Sequence, residues 1–459
     1  MTYALIIYLV VLIAIAVRSA WRVKDIPDFF VARKGASAKA VAGSLVATIL
    51  GGSAVIGAVD SGAKLGGAAS WFMLVGALGL FALIPFAARA YEHGKYSLPD
   101  LVENLYGKGP RMVASLVIPV AWTGIVAAQI IAAAKLLMTF VSMDYMTAAI
   151  VSAVVFTGYT LAGGQLSILR TDFMQACLII VGLLLLAGFA LFGGVSGAEA
   201  PASLSSIMQG APAFPFNTNF SPLDLFLLIL TYGTTYTAGP DIYSRVFCAK
   251  DPATAKKAIA IAACTLIPVA FVIGFLAAFS ESIGDMGAYN MQGARITVIA
   301  NTVLPSALIP LFALALLSVV LSSADTTLLS SSIIINGWCR KPSLLQARMV
   351  ILFNGLLALM LALVFTDIIG TLLLALAVYA GAFTVPILWG LLGLKAKPKF
   401  VGAAIIAGGI LALSGKLCPA LPGSLGQHTG DILMIAAFVV NAVILALGRC
   451  PRESKSPKA

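Results

Sequence analysis

Hydrophobic residues in this 459-residue chain fall into long unbroken runs, with neither the two-residue alternation of half-buried strands nor the narrow stripes of soluble helices. Thirteen such runs begin near residues 2, 40, 70, 110, 145, 172, 222, 256, 304, 347, 369, 399 and 431. Each holds about 20 residues, the length of helix that crosses a hydrocarbon core of about 30 Å. The pattern predicts an all-α polytopic membrane protein of about 13 transmembrane helices. The runs near 110 and 304 exceed the required length, as tilted helices and helices with short flanking turns do.

Two of the runs are interrupted. The second carries Gly51, Gly52 and Ser53 in mid-span and then Gly57, and the seventh carries Gly233 and later Gly239 followed by Pro240. Counting five runs from each gives residues 40–194 and 222–393, and an odd number of crossings per unit forces the two units into opposite orientations. That is the plan of an inverted-repeat transporter whose first and sixth core helices are broken at the bilayer midplane. Residues 1–39 then form an extra helix and a cytoplasmic loop, 195–221 an extracellular loop, and 394–459 two further helices with a basic cytoplasmic tail. Glycine also serves close helix packing, which is the alternative use for Gly51 and Gly52.

Composition and charge sharpen this picture. A chain with 60% hydrophobic residues, 10% charged residues and a mean hydropathy of +1.02 is not a water-soluble domain. If every second loop is inside, starting with the one after the first run, all 29 Lys and Arg residues except Lys64, Lys135, Arg295 and Lys416 lie on that side. This positive-inside separation predicts a plasma (inner) membrane protein with the N-terminus outside and the C-terminus cytoplasmic. The net charge of +11 therefore reports topology, and no nucleic-acid partner is expected. The first run lacks a basic leader and a small-residue cleavage site, so it reads as a retained helix. The six cysteines show no paired spacing, His93 and His428 stand alone, and the loops are too short for a catalytic domain. No enzyme, disulfide framework or metal cluster is expected.

The candidate chemistry lies within the apolar runs. Ser322, Asp325 and Thr326 share one helical face at i, i+3, i+4 spacing, with Ser323 and Thr327 beside them. A carboxylate at the centre of a spanning helix costs about 2.5–3.5 kcal/mol on insertion scales, so it faces a partner, a cavity or an ion. Hydroxyls and a carboxylate on one stripe suit a hard cation, although a serine pair also back-bonds to the preceding turn. An unwound turn near Ala47 to Ser53 frees carbonyls of the same character. A second intramembrane carboxylate, Asp172, follows Thr171 and reads either as a site residue or as a charge at a helix start near the cytoplasmic surface.

Four stretches carry a resemblance. They are Ser97-Leu98-Pro99-Asp100 running to Tyr106-Gly107; Gly163-Gly164 with Thr171-Asp172 and Gln175; Arg245 with Ala249-Lys250-Asp251 and Ala255; and Ser322-Ser323-Ala324-Asp325-Thr326-Thr327-Leu328-Leu329. In this order and register the chain resembles the sodium:solute symporter family, which includes sodium-coupled sugar, proline, pantothenate and sialic acid carriers. The resemblance implies a main sodium site made by the carbonyls of Ala47, Leu50 and Val319 with the hydroxyls of Ser322 and Ser323. It implies a second cation site around Asp172, Asp325 and Thr326, where Asp325 replaces a hydroxyl and either strengthens the site or takes a proton. Arg170, where tryptophan is frequent, is an alternative partner that would neutralise Asp172.

By position, the resemblance also implies a substrate cavity between Gly51, Gly52, Ser53 and Ala54 on one broken helix and Thr231, Tyr232, Thr235 and Tyr236 on the other, completed by the third and tenth core helices. Tyr232 and Tyr236 are alternatively a packing stripe. The sugar carriers' polar cluster is missing, with Ser53, Ala54 and Val55 in its place, so an amino acid or carboxylate is expected in preference to a hexose. Lys135 is either an attractor of anions or a snorkelling lysine. The function expected is sodium-coupled symport of a small organic solute by alternating access, with ion release past Asp172. The alternative is proton coupling through Asp172 and Asp325. Oligomeric state is left open.

Overall fold

The computed structural model describes residues 2–192, 214–282, 294–337, 343–417 and 424–450. The expected loop 195–221 is thus described only from residue 214, and residues 451–459 of the basic tail lie outside the described residues. Regular structure among the described residues is helical, apart from isolated bridges joining Ala36 to Ala249, Asn217 to Phe220 and Ala396 to Arg449. Nine of the described helices are long and apolar enough to cross a membrane, and ten if one bent pair counts as a span. The chain is a multi-pass membrane protein.

The runs near 145 and 172 form one helical stretch, Tyr145–Phe192, bent where Gly164 adopts φ 56° and ψ −162°. A residue with a side chain is strained in that backbone conformation. The ring of Phe29 also packs where a Cβ on Gly164 would stand. The bend falls between the two predicted spans.

The first broken helix starts at Ser37, whose side chain accepts the Ala40 amide, and runs as Ala38–Ile49. Leu50 leaves the helix with ψ 52°, and the chain resumes through a wide π-type turn, Ser53–Gly57, and Ala58–Asp60. The two halves meet at 52°. Both glycines in the gap are demanded by packing: a Cβ on Gly51 would lie 2.5 Å from Ser323 Oγ, and one on Gly52 would lie 2.7 Å from Ala132 Cβ. The amide freed at Gly52 donates to Gln129 Oε1 at 2.8 Å, so the break leaves no orphan donor there.

The second broken helix opens with a capping box between Ser221 and Asp224 and runs through Pro222–Leu228, a π-type turn Ile229–Gly233 and Thr234–Ala238. It breaks at Gly239, extended at φ −72° and ψ 135°, and restarts as Pro240–Val246 with proline where its missing N–H costs nothing. Gly233 is not the breaker that the sequence suggests. It stays helical, and its carbonyl packs where a Cβ on Gly79 would stand, so this glycine serves close approach of the helix Trp71–Leu83.

Candidate functional site

The helix Ile309–Asn336 packs against Lys108–Val141, Tyr145–Phe192 and Ala38–Ile49 and is buried along its polar stripe. Ser322 Oγ donates to the Ala47 carbonyl at 2.9 Å and to its own Val319 carbonyl at 3.3 Å. Ser323 Oγ reaches the next carbonyl, Thr48, at 2.7 Å. Four of the five residues expected at the main sodium site therefore meet across two helices. Leu50, the fifth, is the residue at which the helix ends and its carbonyl leaves helical register. An oxygen-only set of carbonyls and hydroxyls suits a hard monovalent cation.

One helical turn away lies a fully buried charged cluster. Asp172, Asp325 and Thr326 come together as expected, but their cationic partner is Arg245. Its Nη2 is 3.4 Å from Asp172 Oδ2 and also donates to Thr326 Oγ1, its Nε donates to Ser44 Oγ at 3.1 Å, and its Nη1 to Ser244 Oγ at 2.9 Å. Ser44 in turn donates to Asp172 Oδ2. Arg170 is an exposed residue that bonds to Ser19 Oγ at 3.3 Å and does not neutralise Asp172. The guanidinium pairs with Asp172, whereas Asp325 Oδ1 accepts from Thr326 Oγ1 at 3.3 Å, and Asp172 Oδ1 and Asp325 Oδ2 have no hydrogen-bond partner among the described residues. Asp172 is fully buried, so it is no ordinary surface charge at a helix start. Lys135 is likewise committed, 3.8 Å from Asp60 Oδ2.

A narrow cavity lies between the two breaks. Gly51, Ser53, Tyr232, Thr235 and Tyr236 line it as expected, with Ser323 at its edge. Gly52 and Ala54 do not: Gly52 backs onto Gln129 and Ala132, and Ala54 is buried elsewhere. Thr231 bonds back to the Leu227 carbonyl and lines a separate cavity with Asp224 and Lys416. Tyr232 and Tyr236 meet edge to face, 5.1 Å between centroids, so the pair both packs and faces the cavity. Residues not singled out in the sequence complete the wall: Trp122 and Gln129 from Lys108–Val141, Leu372 and Leu376 from Ile368–Leu391, and Asp241 just after the second break. Asp241 was findable by the rule that flags Asp325, as a carboxylate in an apolar run. The free space, about 40 Å³, holds about three waters and no organic solute.

With the two breaks, the serine pair and the buried charges placed, the sequence model of the sodium:solute symporter family matches residues 29–392. The chain belongs to that family. It is 26% identical over 360 residues to human high affinity choline transporter 1, an alignment covering 72% of this chain and 60% of that protein. It is 27% identical over 233 residues to a sodium/proline symporter of Haemophilus influenzae, covering 48% of this chain and 44% of that one. The chain thus spans about half of the length of these relatives. In fold it is similar to a substrate-bound, outward-open Na+-coupled sialic acid symporter, with TM-score 0.75 at 19% identity and 99% coverage of both chains. It is also similar to Mhp1, a nucleobase-cation-symport-1 family transporter, with TM-score 0.60 at 14% identity, 91% coverage of this chain and 94% of the other. The all-α inverted-repeat architecture with two broken helices, expected from the sequence, is the architecture found. The relatives named here are transporters, not enzymes.

Proposed function

We propose that this family member imports a small organic solute together with sodium by alternating access. The observation that carries the reading is the meeting of Ser322 with the Ala47 and Val319 carbonyls beside a broken helix. Sodium, as cargo, would take these oxygens with those of Leu50 and Ser323. Bound there, it would hold Ala38–Ile49 against Ile309–Asn336 and favour the substrate-ready outward state. The small free space supports the same cycle, because a solute enters only when the bundles rock apart.

We further read residues 40–194 and 222–393 as the inverted repeats, the N-terminus as outside, the C-terminus as cytoplasmic and the membrane as the plasma (inner) membrane. Asp172, Asp325 and Thr326 are read as a second cation site on the inward path, with Arg245 offsetting one of the two carboxylates. The engagement of Asp172 by Arg245 argues against the proton-carrier alternative. The relatives' names span choline, proline and glucose, so they do not choose the solute.

The test is uptake of labelled amino acids, carboxylates, pantothenate and sugars into proteoliposomes under an inward sodium or an inward proton gradient. Wild type is compared with the double variant Ser322→Ala, Ser323→Ala. Sodium-driven uptake that collapses in the double variant is expected. Proton-driven uptake indifferent to sodium and to both serines would overturn the reading.

A further inference from the structure

Among the described residues, the cavity wall carries one charged side chain, Asp241, and no Lys, Arg or His. Asp241 Oδ1 is buried and accepts no hydrogen bond among the described residues. Its position depends on the break: a Cβ on Gly239 would lie 2.8 Å from that oxygen. The cation nearest in sequence, Arg245, lies one helical turn on and gives its donors to Asp172, Ser44, Ser244 and Thr326. Lys135, at the outer side, is paired with Asp60.

A half-buried carboxylate with one buried oxygen that accepts no hydrogen bond is costly, and the cost falls when a cation arrives. The same cavity presents the rings of Tyr232, Tyr236 and Trp122, whose π faces attract ammonium groups. An anionic solute would meet repulsion from Asp241, and a neutral sugar would leave its charge bare. The indole N–H of Trp122 is also buried without an acceptor among the described residues, so it is available to a solute oxygen.

We propose that the transported solute bears a positively charged ammonium group that docks on Asp241 beside these aromatic rings. The assignment rests on sodium-coupled transport being the protein's function. It keeps the amino-acid half of the sequence expectation and removes the simple carboxylates.

The experiment uses the full chain in proteoliposomes with an inward sodium gradient. Labelled choline, proline and lysine are compared with propionate and glucose, which lack ammonium groups, and 3,3-dimethylbutan-1-ol, the uncharged carbon isostere of choline, serves as a competitor. The proposal expects uptake of at least one ammonium solute, no competition by the isostere, and a fall of about tenfold or more in Asp241→Asn, the factor for a 1.4 kcal/mol loss. Asp241→Glu should recover part of the uptake. Sodium-dependent thermal stabilisation of the purified protein, read in NaCl against KCl, should persist in Asp241→Asn and reports the sodium reading separately. Uptake confined to propionate or glucose, competition by the isostere as strong as by choline, or ammonium uptake unchanged in Asp241→Asn would overturn the proposal. No ammonium uptake alongside an intact sodium shift would do the same, whereas loss of the sodium shift in wild type would strike the symport reading itself.

Discussion

The first broken helix stops at Ile49 and resumes at Ser53, with Leu50, Gly51 and Gly52 between, whereas the second stops at Ala238 and resumes at Pro240 with only Gly239 between. The first gap is made by removing side chains so that a neighbouring helix can press in, and the polar groups beside it are neutral: carbonyls at Ala47 and Thr48 facing two serines. The second gap is made by one extended residue and a proline, and the next side chain, Asp241, brings a charge to the cavity. The two interruptions thus present two kinds of polar group, backbone oxygen of a kind that suits a small ion and a carboxylate of a kind that suits a larger cation. Arg245 ties them together, reaching from the second broken helix to Ser44 on the first.

The largest effect expected on this arrangement comes from cutting that tie. Arg245→Met leaves Asp172 buried without its guanidinium, and breaking a buried pair from one side costs about 3–5 kcal/mol. The measurement is the yield of monodisperse protein in detergent and its melting temperature, both expected to fall steeply. Adding Asp172→Asn to Arg245→Met should recover part of the loss, since removing both partners of a buried pair is far milder than removing one. A double variant no better than the single would show that the pair does not hold the two breaks together.

A smaller effect separates the two gaps. Gly52→Ala places a methyl 2.7 Å from Ala132 and 2.9 Å from Gln129 Oε1, the acceptor of the Gly52 amide, so overpacking of about 1–3 kcal/mol is expected. Its transport defect should show in sodium dependence, because the carbonyls next to the gap move with it. Gly239→Ala crowds Asp241 Oδ1 and the Thr235 carbonyl instead, so its defect should show in the solute's apparent affinity with the sodium dependence less changed. Initial uptake rates across sodium and solute concentrations distinguish the two. Identical defects would mean that the gaps do not divide the work.

Much of this was legible in the sequence, for identifiable reasons. A membrane allows few structures, so run length carries the all-helical fold directly, and Gly239–Pro240 can hardly sit inside a regular helix. The serine pair was legible because hydroxyls on one stripe of an apolar helix need a polar counterpart. The illegible parts depended on three-dimensional reach. Arg170 stands close to Asp172 in sequence, yet its side chain points to Ser19 while Arg245 arrives from another helix. Gly233 and Gly239 look alike as letters, and only the closeness of Gly79 shows that one serves packing and the other the break. Thr231 and Thr235, one helical turn apart, line different cavities.

The smallest effect expected lies at the starts of the two broken helices and is a control on their middles. Ser221 and Asp224 cap the second reciprocally: the Ser221 amide donates to Asp224 Oδ2 at 2.8 Å and the Asp224 amide to Ser221 Oγ at 3.3 Å. Ser37 caps the first with a single bond, from the Ala40 amide at 3.3 Å. Losing a cap costs about 0.5–2 kcal/mol, so Ser221→Ala should lower stability within that range and Ser37→Ala by less. The check is the melting temperature of each variant beside its sodium-dependent shift. Both caps lie at exposed helix starts away from the gaps, so the shift should match wild type even where stability drops. If Ser221→Ala also weakened the sodium shift, the second broken helix would be transmitting strain along its length to the ion site, and the separation of ion and solute duties between the two breaks would fail.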